Sequence, residues 1–135
     1  MRVVFDNNVV ASGVGWDGES YLCLAQLAHR RAIAYASEFT LKEARETCAR
    51  LIQELNFSHN AAARLNWYLS VIRLIEPAPL GKQRSRDATD DPYLAVALAA
   101  RANFIVSYDK DLLELIKPFG IEIIRPAQFL KLVKG

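Results

Sequence analysis

The sequence is short of the residues that most hydrolases use as bases, nucleophiles or zinc ligands. Its 135 residues include two histidines and two cysteines. His29 belongs to a basic stretch, His29-Arg30-Arg31, and His59 lies among polar residues, so neither is placed for a Ser-His-Asp relay or a zinc hydrolase. Cys23 and Cys48 have neither C-x-x-C spacing nor a histidine cluster beside them. Each falls within helix-like apolar periodicity, which reads as two buried thiols in a reducing compartment rather than a disulfide or a metal pair. No segment reaches the roughly 18 continuous apolar residues of a spanning helix. The opening residues also lack a basic stretch leading into an apolar run and a small-residue cleavage site. With no internal repeat and no low-complexity linker, the expectation is a cytoplasmic protein without a membrane association.

What is present is apolar and mixed in charge. Hydrophobic residues make up 52% of the chain, enough for one core and, at this length, too little for two. A single domain over residues 1–135 is therefore predicted. The net charge of +2 and the pI near 8.6 are mildly basic, which suits a nucleic-acid partner but would suit many small-molecule enzymes equally well.

Strand-like and helix-like patterns alternate along the chain. Met1 to Phe5 is a β-branched run that, with the apolar pair Val9-Val10 beyond Asp6-Asn7-Asn8, reads as a buried strand ending at a polar site. From Ser20 to Arg31 the apolar spacing is helical and the end is basic. Ala32 to Ala36 is a second strand, and Ser37 opens a helix with Leu41, Ala44, Cys48 and Leu51 on its inner stripe. Phe57 to Ile72 is helical, Val71 to Ile75 a short strand stopped by Pro77, and Pro79 to Arg86 a basic loop. Pro92 to Ala102 is apolar on nearly every face, as a helix lying on a sheet and covered by another element would be. Asn103 to Tyr108 is the clearest strand, followed by a helix from Asp111 to Lys117, a strand from Ile121 to Ile124 and a last turn or helix from Pro126 to Val133. This alternation predicts an α/β fold, a three-layer α/β/α sandwich on a mostly parallel five-stranded sheet, because parallel neighbours need crossovers. Ligands of such sheets bind outside the carboxyl ends of the strands, where the acids fall.

Each acid has a structural alternative. Asp6 can accept backbone amides in its Asp-Asn-Asn turn, yet it follows an apolar run too buried for an unpartnered carboxylate. Glu43 ends a Thr40-x-x-Glu43 capping-box spacing. Its neighbour Glu46 has Lys42 and Arg50 one turn to either side, whereas Glu43 has no basic residue at those distances. Asp91 before Pro92 is a good helix start, and Asp111 is a candidate cap for its short helix, leaving Asp109 as the candidate ligand, although the two roles are exchangeable. Lys82, Arg84 and Arg86 form a solvated charge run by default, but lie where phosphate contacts would be useful. Carboxylates gathered without His or Cys select a hard, oxygen-loving ion, Mg2+ or Mn2+. The familiar use of such a cluster is metal-assisted attack of water on a phosphodiester.

These residues resemble a PIN domain, in particular the VapC-like toxins of toxin–antitoxin pairs, along nearly the whole chain. The family's D-x-N-V opening appears as Asp6-Asn7-Asn8-Val9, and its second acid as Glu43, in the helix that follows Ser37. Its D-x-x-[LI]-A helix start appears as Asp91-Pro92-Tyr93-Leu94-Ala95, and its [ST]-x-D strand end as Ser107-Tyr108-Asp109. The resemblance implies a metal-dependent endoribonuclease with Asp6, Glu43, Asp91 and Asp109 around Mg2+ or Mn2+. Asn8 and Ser107 would orient them, and Asp90 and Asp111 would support or cap. It also implies an RNA substrate, a homodimer, and a cognate antitoxin protein. The doubled Asp90-Asp91 leaves open which acid faces the metal. A competing reading is an α/β signalling or interaction module whose acids bind Mg2+ without cutting anything. A phosphatase with an aspartate nucleophile is disfavoured by Asn8, which stands where the second acid of a D-x-D motif belongs.

Overall fold

A computed structural model describes residues 1–55 and 60–134. Five strands, β1 (Arg2–Phe5), β2 (Ile33–Ala36), β3 (Arg73–Leu74), β4 (Phe104–Val106) and β5 (Glu122–Ile124), form one sheet in the order β3-β2-β1-β4-β5. Every neighbouring pair is parallel, with Val3 opposite both Ala34 and Phe104, and Ile105 opposite Ile123. Among the described residues six α-helices make the crossovers, α1 (Asn7–Gly15), α2 (Glu19–Ala28), α3 (Glu38–Leu55), α4 (Asn60–Val71), α5 (Asp91–Ala100) and α6 (Lys110–Leu113), and a seventh, α7 (Pro126–Lys134), follows the last strand. The α/β/α sandwich expected from the alternation is present, and the sheet is parallel throughout.

Alternate residues of β1 feed two separate cores, as the twofold period of a strand requires. Val3 and Phe5 face a core shared with Val9 and Val14 of α1, Cys23 and Leu24 of α2, Cys48 of α3, Leu65 and Tyr68 of α4 and Phe129 of α7. Val4 faces the other side, with Leu94 and Val96 of α5, Ile105, and Leu112 of α6. The α5 helix buries six of its ten residues, which explains why its sequence is apolar nearly all round. Both thiols are free and buried, and burial pushes Cys23 up to about 12 and Cys48 up to about 11, so neither is a ready nucleophile.

The structure departs from the sequence reading most at α1. Val9 and Val10 do not extend a strand; they are buried on a helix that begins directly after Asp6. Asp6 makes this possible by accepting the Asn7 amide at 2.8 Å, an N-cap that turns the chain at the end of β1. One glycine that obscured the helix serves packing: a Cβ on Gly13 would lie 2.6 Å from Leu24 Cδ1 and 3.0 Å from the Ser20 carbonyl oxygen of α2. Only glycine lets α1 and α2 approach this closely. Of the predicted helix from Phe57, the first residues and His59 lie outside the described residues. No helix among the described residues is long and apolar enough to cross a membrane.

Candidate metal centre

The strand order reverses at β1, which has β2 on one side and β4 on the other, and the crevice of a parallel sheet opens at such a point. Asp6 closes β1 there, and its amide donates to the Val106 carbonyl of β4 at 3.0 Å. Its carboxylate is 4% exposed and accepts from the Ser107 hydroxyl at 2.7 Å as well as from the Asn7 amide. Ser107 is fully buried, and its Oγ also accepts the Asp109 amide at 2.9 Å. One hydroxyl thus ties the ends of β1 and β4 together. Burial raises the Asp6 pKa, opposed by the hydrogen bonds from Ser107 and Asn7 and reinforced by the charges of Asp109 and Glu43.

Asp90 ends a short 3-10 turn, Ala88–Asp90, that leads into α5. It is 5% exposed and accepts from the Ser85 hydroxyl at 3.2 Å. Burial first, then the charge of Asp109, with Asp6 also contributing, pushes its carboxyl up from 3.8 to about 7, and Asp109 lies within side-chain hydrogen-bond reach. Asp91, one residue on, points its carboxylate elsewhere: its two oxygens accept the Arg84 amide at 2.9 Å and the Ser85 amide at 2.8 Å. The structure therefore brings Asp90, not Asp91, together with Asp6 and Asp109, while Asp91 straps the loop before it.

At the β4 end the helix cap is not the expected Asp111 but its neighbour two residues earlier. Asp109 is the N-cap of α6, accepting the Asp111 amide at 2.8 Å. The Asp111 carboxylate instead lies with those of Asp87 and Asp90, all three offering oxygens within 4.8 Å of one another. Asp87 was not singled out from the sequence. Its signal was there, three acids within the run Asp87-Ala88-Thr89-Asp90-Asp91, but its exposed carboxylate also has a local turn role, accepting the Thr89 amide and hydroxyl, which lowers its pKa.

Glu43 reaches the crevice from α3. The capping box it was suspected of serving lies one turn earlier: the Thr40 hydroxyl accepts the Ser37 amide at 3.0 Å and the Ser37 hydroxyl accepts the Thr40 amide at 3.1 Å. Glu43 is freed for another partner and accepts from the hydroxyl of Tyr93, a buried residue of α5. Burial raises the Tyr93 pKa, and the Glu43 carboxylate beside it raises it further. Glu46 pairs with Lys42 at 3.9 Å, as the spacing suggested. None of the described ion pairs involves Asp6, Glu43, Asp90 or Asp109.

Around this centre, Asn8 is exposed in the first turn of α1, and it is Asn7 that bonds inward, donating to the Thr47 hydroxyl at 3.0 Å. On the basic loop, Arg84 donates to the Leu80 carbonyl and stacks 5.2 Å from the Phe119 ring centroid, Arg86 pairs with Glu114 at 3.5 Å, and Lys82 is exposed. An all-oxygen donor set without nitrogen or sulfur suits Mg2+ or Mn2+ and not zinc. Buried carboxylates that repel one another and lack a basic partner fit such an ion, since without a cation their ionised forms are penalised.

A sequence model described as "PIN domain" matches residues 2–111. The crystal structure of PAE2754 from Pyrobaculum aerophilum aligns with a TM-score of 0.63 at 19% identity, covering 100% of this chain and 91% of that one. At this identity the likeness is one of fold. No curated protein matches the chain.

Proposed function

The chain belongs to the PIN domain family, and we propose from this that it is an endoribonuclease hydrolysing RNA phosphodiester bonds with Mg2+ or Mn2+, the cytoplasmic toxin of a toxin–antitoxin pair. PIN domains are generally nucleases and typically use divalent metals. The observation that carries the finer reading is the convergence of Asp6, Asp90 and Asp109, joined by Glu43, at the carboxyl ends of the strands, with no paired cation among the described residues. In this reading Asp6, Glu43, Asp90 and Asp109 hold the metal, with Asp87 and Asp111 beside Asp90 as further oxygen donors. Asp91 takes the positioning part that the sequence pattern assigned to its neighbour. The proposal treats residues 1–135 as one nuclease domain.

A divalent ion at these carboxylates supplies Lewis acidity, acidifying water and neutralising charge that develops on the phosphodiester. The chain's own groups do the rest. Ser107 and the Asn7 amide hold both oxygens of Asp6 and so fix the plane of its carboxylate. Tyr93 holds one oxygen of Glu43 from α5. The two amide bonds to Asp91 hold the loop 84–85, and with it the Ser85 hydroxyl against Asp90. Fixing ligands through their outer partners is worth roughly 10–100-fold in metal affinity or activity. The toxin role, a homodimer and a cognate antitoxin rest on the four-motif resemblance alone.

The test is cleavage of an end-labelled single-stranded RNA by pure protein. Cutting in Mg2+ or Mn2+, none in EDTA, and none with Asp6→Asn is the expected pattern. RNA left intact by the wild-type protein in either metal removes the assignment.

A further inference from the structure

Beside the acids, on the β2–β3 side of the same sheet edge, lies an open groove of about 600 Å3. Phe39, Pro77, Pro79, Leu80 and Pro92 give it an apolar lining, and Asp91 also borders it. Phe39 is 60% exposed, an expense in apolar surface that an isolated helix start does not need. It stands one helical turn before Glu43, so the two side chains share a face of α3. The groove's other wall is fixed in place. The Ala78 amide donates to the Ala95 carbonyl of α5 at 3.1 Å, and Asp91 straps the residues that follow Leu80.

We propose that this groove is a stacking site for one base of a single-stranded RNA, next to the phosphate presented to the acids. The inference rests on the nuclease reading and adds a substrate-binding residue, Phe39, to it. The flat ring of Phe39 matches the π-face of a base, with the prolines and Leu80 packing around the base's edge, and stacking of this kind is tolerant of sequence. Among the described residues no cation lines the groove, so it is suited to a base rather than a phosphate. Charge sets the path of the backbone. Glu38 and Glu76 line the adjoining hollow on the far side of Phe39 and repel phosphates, whereas exposed Lys82 and Arg84 follow Leu80 on the near side and attract them. A strand with one base in the groove therefore leaves along residues 82–86.

Binding of a fluorescein-labelled ten-nucleotide RNA, followed by anisotropy in EDTA so that nothing is cut, reads the groove apart from the chemistry. Phe39→Ala and Phe39→Leu are expected to weaken binding about tenfold, within the range of one lost base–aromatic stack, and Phe39→Trp to keep it. An abasic residue walked along the RNA should weaken wild-type binding at one position and leave Phe39→Ala binding unchanged there. Equal binding by wild type and Phe39→Ala, or no RNA binding by the wild type, overturns the proposal. Binding that depends on Phe39 without metal-dependent cleavage would sink the nuclease reading and leave the groove. Cleavage indifferent to Phe39, with equal binding, would do the reverse.

Discussion

Replacing Asp90 by Asn is expected to stabilise the metal-free protein while removing its response to metal. Burial and the neighbouring acids raise the Asp90 carboxyl from 3.8 to about 7. With a folded-state pKa above the unfolded one, the stability tied to this proton is complete below about pH 4 and is lost as pH rises through about 7. Each pH unit of that interval is worth about 1.4 kcal/mol, so its full width sets a ceiling of about 4 kcal/mol. Asparagine is neutral, keeps an oxygen for the Ser85 hydroxyl, and offers its NH2 to Asp109. Allowing for imperfect geometry, roughly half the ceiling, about 2 kcal/mol, is expected as gain at pH 7.5. For a chain of this size that is a rise in Tm of roughly 5–10 °C. Thermal unfolding by circular dichroism in EDTA measures it. The gap should narrow at pH 5, where the wild-type carboxyl is already protonated in the folded protein, and Mg2+ should raise the Tm of the wild type but not of Asp90→Asn. An Asp90→Asn protein less stable than wild type at pH 7.5, or a gap indifferent to pH, would refute the reasoning.

Ser107→Ala removes the one hydroxyl that bonds both the Asp6 carboxylate and the Asp109 amide. Urea unfolding should show a loss of about 1–3 kcal/mol, with cleavage falling at least as steeply; an unchanged urea midpoint would argue against the bridging role. Gly13→Val places side-chain atoms inside Leu24 and against the Ser20 carbonyl and is expected to cost about 1–3 kcal/mol by overpacking. In a double-mutant cycle with Leu24→Ala, a combined loss clearly smaller than the sum of the two single losses would assign the cost to the Gly13–Leu24 contact, and additive losses would take Leu24 out of it.

Much of the fold was legible because its elements follow simple periods. The β-branched runs at 2–5 and 104–106 are strands, and the all-round apolar helix 91–100 is buried against the sheet. The α1 helix was not legible, since Asn7, Asn8, Gly13 and Gly15 lower helix propensity and the capping by Asp6 looks from sequence like a strand end. The acids at 6, 43, 90–91 and 109–111 stand out in the sequence as candidates. The choice between adjacent acids was not legible there. Asp90 and Asp91 differ by one step at a helix start, about 100° of rotation, and only the loop amides of Arg84 and Ser85 decide which one turns away. The same limit applies at Asp109 and Asp111, where either residue satisfies the cap rule and the chain uses Asp109.

A titration of Mn2+ into protein, followed by loss of the free-ion paramagnetic resonance signal, tests the proposed centre most directly when wild type, Asp90→Asn and Asp91→Asn are run side by side. The expected result is that wild type and Asp91→Asn take up the ion and Asp90→Asn does not. Uptake retained by Asp90→Asn and lost by Asp91→Asn, or no uptake by the wild type, would contradict it.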